Sequence, residues 1–284
     1  MSSLIDLLKY DTCYLNNSSG LFDIEANECT DITLDILERN SIELLRKYEP
    51  SEGYHLAFSG GKDSVVIKYL AERACVKFQA FYNVTTIDPP DLVYFIKKFH
   101  KDVQMIHPPI PFLKRLVHCG APLRQARWCC REYKEYYSPP GIMIQGIRAE
   151  ESGRRKNRAE FEQNTRHIEH NAWFLNPIIG WASDEVWQYI RENGIPYCKL
   201  YDNGWKRIGC LFCPNATVKD KKMHSVFYPK YEQAFRRSFN ALHMDRTFRG
   251  MVSVSRWKDG DDMFDWWISG LGADRWVEIR EKNK

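Results

Sequence analysis

The sequence lacks any run of about 18 uncharged apolar residues, so it predicts no membrane-spanning helix. It also lacks a basic start followed by an apolar core of signal-peptide length, which makes the cytoplasm the expected compartment. Internal repeats and low-complexity tracts are absent, and the apolar and charged contents of 44% and 27% are those of a globular protein. The nine cysteines are odd in number and unevenly spaced, which argues against a disulfide framework and favours free, metal-bound or catalytic thiols.

Charge is strongly segregated along the chain, although the net charge is only +4. Residues 1–50 carry four Lys/Arg against ten Asp/Glu, a balance of −6. Residues 124–158 carry nine against four (+5), and residues 201–258 carry twelve against four (+8). The two basic regions indicate either a polyanionic ligand, such as a nucleotide or a nucleic acid, or an ordinary solvated surface.

Short apolar runs alternate with segments of helical periodicity, a pattern typical of α/β proteins. The predicted strands are 55–58, 77–84, 103–107, 141–147 and 173–179, and the predicted helices between and after them are 63–75, 89–100 and 182–194. This alternation predicts a mostly parallel sheet with helices on both faces. We expect three parts: an N-terminal helical extension (1–50), the α/β domain (51–200) and a helical C-terminal region that contains cysteines (201–284).

The stretch "YHLAFSGGKDSVVIKYL" (54–70) places two glycines between a predicted strand and a predicted helix. Such a junction exposes backbone N–H groups at the positive end of the helix dipole, where anions bind. The Walker phosphate-loop pattern does not fit, because Leu56 stands where its first glycine is required and Asp63 follows Lys62.

The hexapeptide SGGKDS within this stretch resembles the pyrophosphate loop (PP-loop) of the adenine nucleotide alpha-hydrolase superfamily. The resemblance implies that residues 51–200 bind ATP or another adenine nucleotide. Members of this superfamily commonly cleave the bond between the α and β phosphates of ATP. Lys62 and the loop amides would stabilise charge on the phosphates, and Asp63 would either hold Mg²⁺ or cap the helix. The implied nucleotide-binding residues are Ser59, Gly60, Gly61, Lys62, Asp63 and Ser64.

Two cysteine pairs could together supply four thiolates to Zn²⁺ or to an iron–sulfur cluster. They are Cys129 and Cys130 in "RWCCREYK", and Cys210 and Cys213 in "IGCLFCPN". The arrangement resembles the cluster motif of assimilatory adenylylsulfate reductases, which implies a [4Fe-4S] cluster, with zinc as the alternative. Lys134 takes the place of the lysine in that motif, whereas the preceding arginine is replaced here by Tyr133.

A third stretch, "GIRAEESGRR" (146–155), directly follows a predicted strand. It resembles the arginine loop of the same reductases, in which guanidinium groups bind phosphate or sulfate oxygens in a bidentate manner. The resemblance assigns this role to Arg148 and to Arg154 or Arg155, whereas an arginine-rich loop taken alone is more often a solvated surface.

Residues 55–213 as a whole resemble the phosphoadenosine phosphosulfate reductase family. One departure concerns activity: these reductases use a cysteine in a C-terminal tail, and no cysteine follows Cys213 here. The resemblance therefore implies an ATP-using enzyme that supports sulfur transfer or nucleic-acid modification. Two alternatives stay open, namely a sulfonucleotide reductase with a relocated or partner-supplied thiol and a non-catalytic, metal-stabilised nucleic-acid-binding module.

The partners that this interpretation admits are an adenine nucleotide, a nucleic-acid substrate and a sulfur-donor protein. Aromatic residues of the basic C-terminal region either stack on a nucleic acid or form the core of that helical region. The tryptophans concerned are Trp257, Trp266, Trp267 and Trp276.

Overall fold

A single six-stranded sheet forms the centre of the computed structural model, which describes residues 22–137, 139–165 and 171–282. The strand order is β3-β2-β1-β4-β6-β5, and all pairs are parallel except β5 with β6. The strands are β1 (Tyr54–Ala57), β2 (Phe78–Asn83), β3 (Gln104–Ile106), β4 (Gly141–Ile144), β5 (Phe161–Gln163) and β6 (Ala172–Leu175). The predicted mostly parallel sheet is confirmed, and the sequence pattern missed only the three-residue antiparallel edge strand β5.

Nine helices of eight or more residues occur in the described part of the chain. They are α1 (Phe22–Lys47), α2 (Lys62–Ala74), α3 (Pro90–Phe99), α4 (Phe112–Cys119), α5 (Ser183–Glu192), α6 (Val218–Phe227), α7 (Pro229–Phe248), α8 (Gly260–Ser269) and α9 (Ala273–Lys282). The chain moves from β1 to β2 to β3 in one direction and returns to β4 in the other, so right-handed crossovers place helices on both faces of the sheet. No helix in these described ranges is both long enough and apolar enough to cross a bilayer.

The sheet and every helix from α2 onward lie in one compact unit, residues 41–284. The three-part division predicted from the sequence, with boundaries near 50 and 200, stays a prediction.

The C-terminal helices pack through an aromatic cluster, which also contacts Phe112 of α4 through Phe235. Phe239 of α7 lies 5.5 Å from Phe264 and 5.3 Å from Trp267 of α8, measured between ring centroids. Trp257 is also buried, and Trp266 stacks on it at 4.4 Å. Packing accounts for these tryptophans, so the basic surface of this region does not present Trp257 or Trp267 for stacking on a nucleic acid.

The strand order reverses between β1 and β4, and ligands of parallel α/β sheets bind at such a reversal, beyond the carboxyl ends of the strands. Two glycines bring the chain segments there into close contact. Gly60 has a positive φ of 70°, and a β-carbon on it would lie 2.5 Å from Leu92 Cδ1. A β-carbon on Gly146, which follows β4, would lie 2.9 Å from the carbonyl group of Asp63.

Replacement of Gly60 by alanine should therefore lower the free energy of unfolding by more than about 1 kcal/mol, because the left-handed conformation alone costs an L-residue that much. Urea unfolding checks this. Gly180→Ala is the matched control, since a β-carbon there meets no atom within 4 Å. Equal stability of the two variants would contradict the prediction.

Candidate functional site

The predicted phosphate loop is a closed turn between β1 and α2, held by its two serines. The Ser59 hydroxyl donates to Ser64 Oγ at 3.1 Å, and the Ser64 hydroxyl donates to the Gly61 carbonyl at 2.8 Å. At the first residue of α2, the backbone N–H of Lys62 donates to the hydroxyl of Tyr201 at 3.0 Å. The first N–H groups of a helix have no partner within it, so Tyr201 satisfies one of them.

Charged side chains beside the loop pair with one another through Asp63. One carboxylate oxygen, Asp63 Oδ1, accepts from Lys62 Nζ at 2.8 Å and from Arg148 Nε at 2.6 Å. Arg148 also pairs with Glu150, and the side chains of Lys62 and Arg148 are both buried. The structure thus brings three sequence-predicted site residues together, and in it they bind one another.

The other two predicted arginines lie on a short helical turn, Gly153–Lys156. Arg154 is exposed, and Arg155 pairs with Glu151. Neither of them lines the cavity described next, so a role in binding phosphate or sulfate stays a prediction for both.

A cavity of about 590 Å³, here called the sheet-edge cavity, lies at the carboxyl ends of the central strands. Apolar rings and amide side chains both contribute to its wall. Its lining includes Ser59, Phe81, Gln145, Arg158, Asn164 and Phe174. The volume suits a nucleotide-sized ligand, and Ser59 places the loop at its edge.

Arg158 is a site residue that the sequence patterns did not single out. Its guanidinium lies 5.3 Å from the ring centroid of Phe174, and its Nε pairs with Glu162. Glu162 belongs to β5, the strand that the sequence patterns missed. A sequence signal for β5 would have predicted that Arg158 lies next to the sheet, beside Glu162.

The turn after β2 forms another part of the cavity wall. The Thr85 backbone N–H and hydroxyl both donate to the Asp88 carboxylate, each at 2.7 Å, and both residues are buried. The backbone N–H of Leu211 donates to the Ile87 carbonyl at 2.9 Å, which attaches the second cysteine pair to this turn.

The four predicted cysteine ligands line one small cavity, here called the cysteine cavity: Cys129, Cys130, Cys210 and Cys213. Thr85 and Lys134 line both this cavity and the sheet-edge cavity, so the two share a wall. Within the described ranges, no group of three or more His, Cys, Asp or Glu side chains is arranged to hold a metal ion. The two cysteine pairs are far apart in sequence but lie close together in the fold. Their thiols do not converge on one point.

Thiol acidity in the cysteine cavity differs between neighbours. A hydrogen bond between the two thiols lowers the pKa of Cys130 and raises that of Cys129, and Lys134 further favours the Cys130 thiolate. Burial raises the pKa of Cys210 to about 11. A Cys210 thiolate raises the pKa of Lys134, and this exposed lysine is a cation beside the thiols.

A buried histidine on α6 fixes the backbone of the second cysteine pair. Phe212 has a positive φ of 53°, and its backbone N–H donates to His224 Nδ1 at 2.9 Å. The ring of Trp205 stacks on His224 at 4.9 Å. Burial lowers the pKa of His224 to about 4, so Nδ1 remains an acceptor at neutral pH.

The topology is that of a mostly parallel α/β domain in which the glycine-containing loop lies where the strand order reverses. Residues 53–216 match the model of the phosphoadenosine phosphosulfate reductase domain, and the chain belongs to that family.

Relatives of known sequence or structure are similar to this chain at moderate to low identity. An uncharacterised protein of Methanocaldococcus jannaschii is 28% identical over 250 residues, 80% of this chain and 58% of that protein. An adenosine 5'-phosphosulfate reductase of Oceanobacillus iheyensis is 35% identical over 94 residues, 32% of this chain and 38% of the enzyme. The crystal structure of a phosphoadenylyl-sulfate reductase from Candida auris, a phosphate complex, has a TM-score of 0.45 at 19% identity and covers 68% of this chain and 98% of that chain. The chain spans about half the length of the uncharacterised archaeal relatives that it matches.

His224 should make the protein less stable in acid. Its pKa is about 4 in the folded state and about 6.5 in the unfolded state, so only the unfolded state takes up this proton between those values. Stability is then lost as the pH falls from about 6.5 to about 4. The free energy of unfolding, measured with urea at several pH values in this range, should change less with pH in His224→Asn than in wild type. The asparagine amide oxygen can replace Nδ1 as the acceptor of the Phe212 N–H.

Burial also lowers the pKa of His100 to about 4, and His100 should supply much of the slope that remains. An unchanged pH dependence in His224→Asn would contradict the assignment of a neutral, buried His224.

Proposed function

We propose that this protein binds an adenine nucleotide with its phosphates at Ser59–Ser64, cleaves ATP between the α and β phosphates, and supports sulfur transfer to an acceptor such as a nucleic acid. The observation that carries the proposal is the wall shared by the sheet-edge cavity and the cysteine cavity, formed by Thr85 and Lys134. A nucleotide bound in the first cavity would lie next to the thiols of the second. This adjacency supports a coupled use of the two sites.

The proposed step at the nucleotide is transfer of AMP. An acceptor oxygen attacks the α phosphorus, a new P–O bond forms, and pyrophosphate leaves with the electron pair of the broken α–β bond. Lys62, Arg148 and the loop amides would stabilise the charge that develops on the phosphates. The Asp63 carboxylate, which now binds both cations, would exchange them for Mg²⁺. The exposed Arg154, or the half-buried Arg155 after release from Glu151, would contact phosphate from the solvent side.

The cysteine cavity fits a [4Fe-4S] cluster in its donors and its charge. Four cysteines line it, and Lys134 offers a cation that offsets part of the negative charge of a four-thiolate cluster. A single Zn²⁺ would need its sulfur ligands at about 2.3 Å, whereas a cluster inserts its own iron and sulfide between the thiolates. If bound there, the cluster would be held by the four cysteines and would supply iron–sulfur chemistry next to the nucleotide.

The location of the remaining described thiols favours this function over sulfonucleotide reduction. None of the described cysteines lines the sheet-edge cavity, and Cys198 is buried elsewhere while Cys75 and Cys119 are exposed. A reductase needs a thiol that reaches the sulfate sulfur, so that activity would require a thiol from another segment or a partner protein. A nucleic-acid acceptor is supported by the +8 balance of residues 201–258, and a sulfur-donor protein would supply the sulfur.

Lys62→Ala should weaken ATP binding by roughly 10- to 150-fold, the loss expected from a charge-assisted contact of about 1.5–3 kcal/mol. Pyrophosphate release from ATP should fall with it. Calorimetric titration and a pyrophosphate assay on anaerobically purified protein provide the measurements.

Lys68→Met is the matched control, since Lys68 is a buried lysine of the same helix that pairs with Glu72 and Asp102 instead. Equal ATP binding in Lys62→Ala and wild type would reject the loop assignment.

Separate incubations with adenylylsulfate and phosphoadenylylsulfate, with thioredoxin present, would reveal a reductase through sulfite release. Nucleic-acid binding that Lys62→Ala leaves unchanged, without turnover of any nucleotide, would instead identify a non-catalytic module.

Anaerobic protein should be brown and contain about four iron atoms per chain, as a cysteine-bound [4Fe-4S] cluster requires. Serine in place of any one of the four cysteines should remove most of the colour and lower the melting temperature, because cluster binding also stabilises the fold. Cys75→Ser, at an exposed cysteine outside the cavity, is the control. Colourless protein with one tightly bound zinc would overturn the cluster but keep the four ligands.

A further inference from the structure

Tyr201 lies at the place where the phosphate loop offers a backbone donor. Its hydroxyl oxygen accepts from the Lys62 N–H at 3.0 Å, in the first turn of α2. A β-carbon on Gly61 would lie 3.4 Å from the same oxygen, so the hydroxyl also sits directly against the glycine pair. These are the donor and the surface that a phosphate oxygen would use at this loop.

Tyr201 reaches this position from outside the loop. Its ring packs edge-on against Trp187 of α5, with centroids 4.9 Å apart. Its backbone belongs to a separate turn, in which the Tyr201 N–H donates to the Cys198 carbonyl and the Gly204 N–H donates to the Tyr201 carbonyl. The loop can therefore lose its contact with Tyr201 without losing the serine hydrogen bonds that close it.

We propose that the Tyr201 hydroxyl holds the position of a phosphate oxygen on the loop, and that the nucleotide phosphates displace it when they bind. The inference rests on the proposed function, because it assumes that the loop binds phosphates. A backbone N–H has one hydrogen to donate, so it makes one good hydrogen bond at a time. A phosphate is the better acceptor because its oxygens are charged.

The internal pairing of the loop cations follows the same logic. Asp63 Oδ1 accepts hydrogen bonds from Lys62 Nζ and from Arg148 Nε. A carboxylate oxygen therefore occupies the position between the two cations that a phosphate oxygen would take. With Tyr201 on the backbone donor and Asp63 on the two cations, the loop keeps its binding geometry through internal partners. Phosphates that bind replace these internal partners. The apparent affinity for phosphates is the intrinsic affinity multiplied by the fraction of molecules in which the internal contacts are open.

Tyr201→Phe removes the competing hydroxyl and keeps the ring against Trp187. We expect this variant to bind inorganic pyrophosphate and ATP more tightly by roughly 2- to 10-fold, the factor that corresponds to one ordinary hydrogen bond. Its affinity for adenosine, which has no phosphate, should not change. A residue with a purely structural role would not separate these ligands.

Tyr197→Phe is the matched control. Tyr197 also packs on Trp187, at 5.4 Å, but its hydroxyl donates to Asp202 at 3.0 Å and not to the loop. Calorimetry on the full chain, purified anaerobically, should show no change in pyrophosphate affinity for this variant.

Equal or weaker pyrophosphate binding in a Tyr201→Phe protein that melts like wild type would overturn the displacement. A second measurement uses the wild type alone: acetylation of the Tyr201 hydroxyl by N-acetylimidazole, read by mass spectrometry, should rise when pyrophosphate is added. No rise at a saturating concentration would also reject the inference. Wild-type protein that binds neither ATP nor pyrophosphate would reject the proposed function itself, which is a different result from binding without displacement.

Discussion

Close approach of two backbone segments at the β1/β4 boundary is the constraint on which the site depends. Gly60 turns the chain through a positive φ against Leu92, and Gly146 passes within contact distance of the first turn of α2. Because glycine has no side chain, the chain segments can approach each other closely at both positions. The segment after β4 then brings Arg148 into contact with Asp63. The cations of two separate loops therefore meet at one point, beyond the carboxyl ends of the strands, where the dipole of α2 also favours an anion.

A second structural link joins that point to the thiols. The turn after β2 contributes Thr85 to both cavities, and the Ile87 carbonyl accepts from Leu211 between the last two cysteines. On the opposite side, His224 holds Phe212 in the left-handed conformation that this short segment requires. The segment between the cysteines is thus fixed by the sheet domain and by α6 together. This explains how two cysteine pairs about eighty residues apart in sequence come to line one cavity.

Much of the fold was predictable from the sequence because its signals are local. Apolar runs of four to eight residues predicted the parallel strands, helical periodicity predicted α2, α3 and α5 but not α4, and the glycine pair marked the loop. The edge strand β5 could not be predicted, since three residues carry too little periodicity and its pairing with β6 is made only in the folded sheet. The missed Arg158 is a direct consequence, because it depends on its ion pair with Glu162 of that strand.

The sequence by itself determined the motifs from which the candidate site is predicted: the loop Ser59–Ser64, Arg148 and the two cysteine pairs each belong to a short local pattern. Only the tertiary structure decided which of these groups contact one another. It placed Lys62 and Arg148 on a single oxygen of Asp63, and it brought Tyr201 to the backbone N–H of Lys62 from a distant turn. The physical reason is that a hydrogen bond or an ion pair is fixed by distances of about 3 Å, and such distances between remote segments exist only once the sheet has assembled.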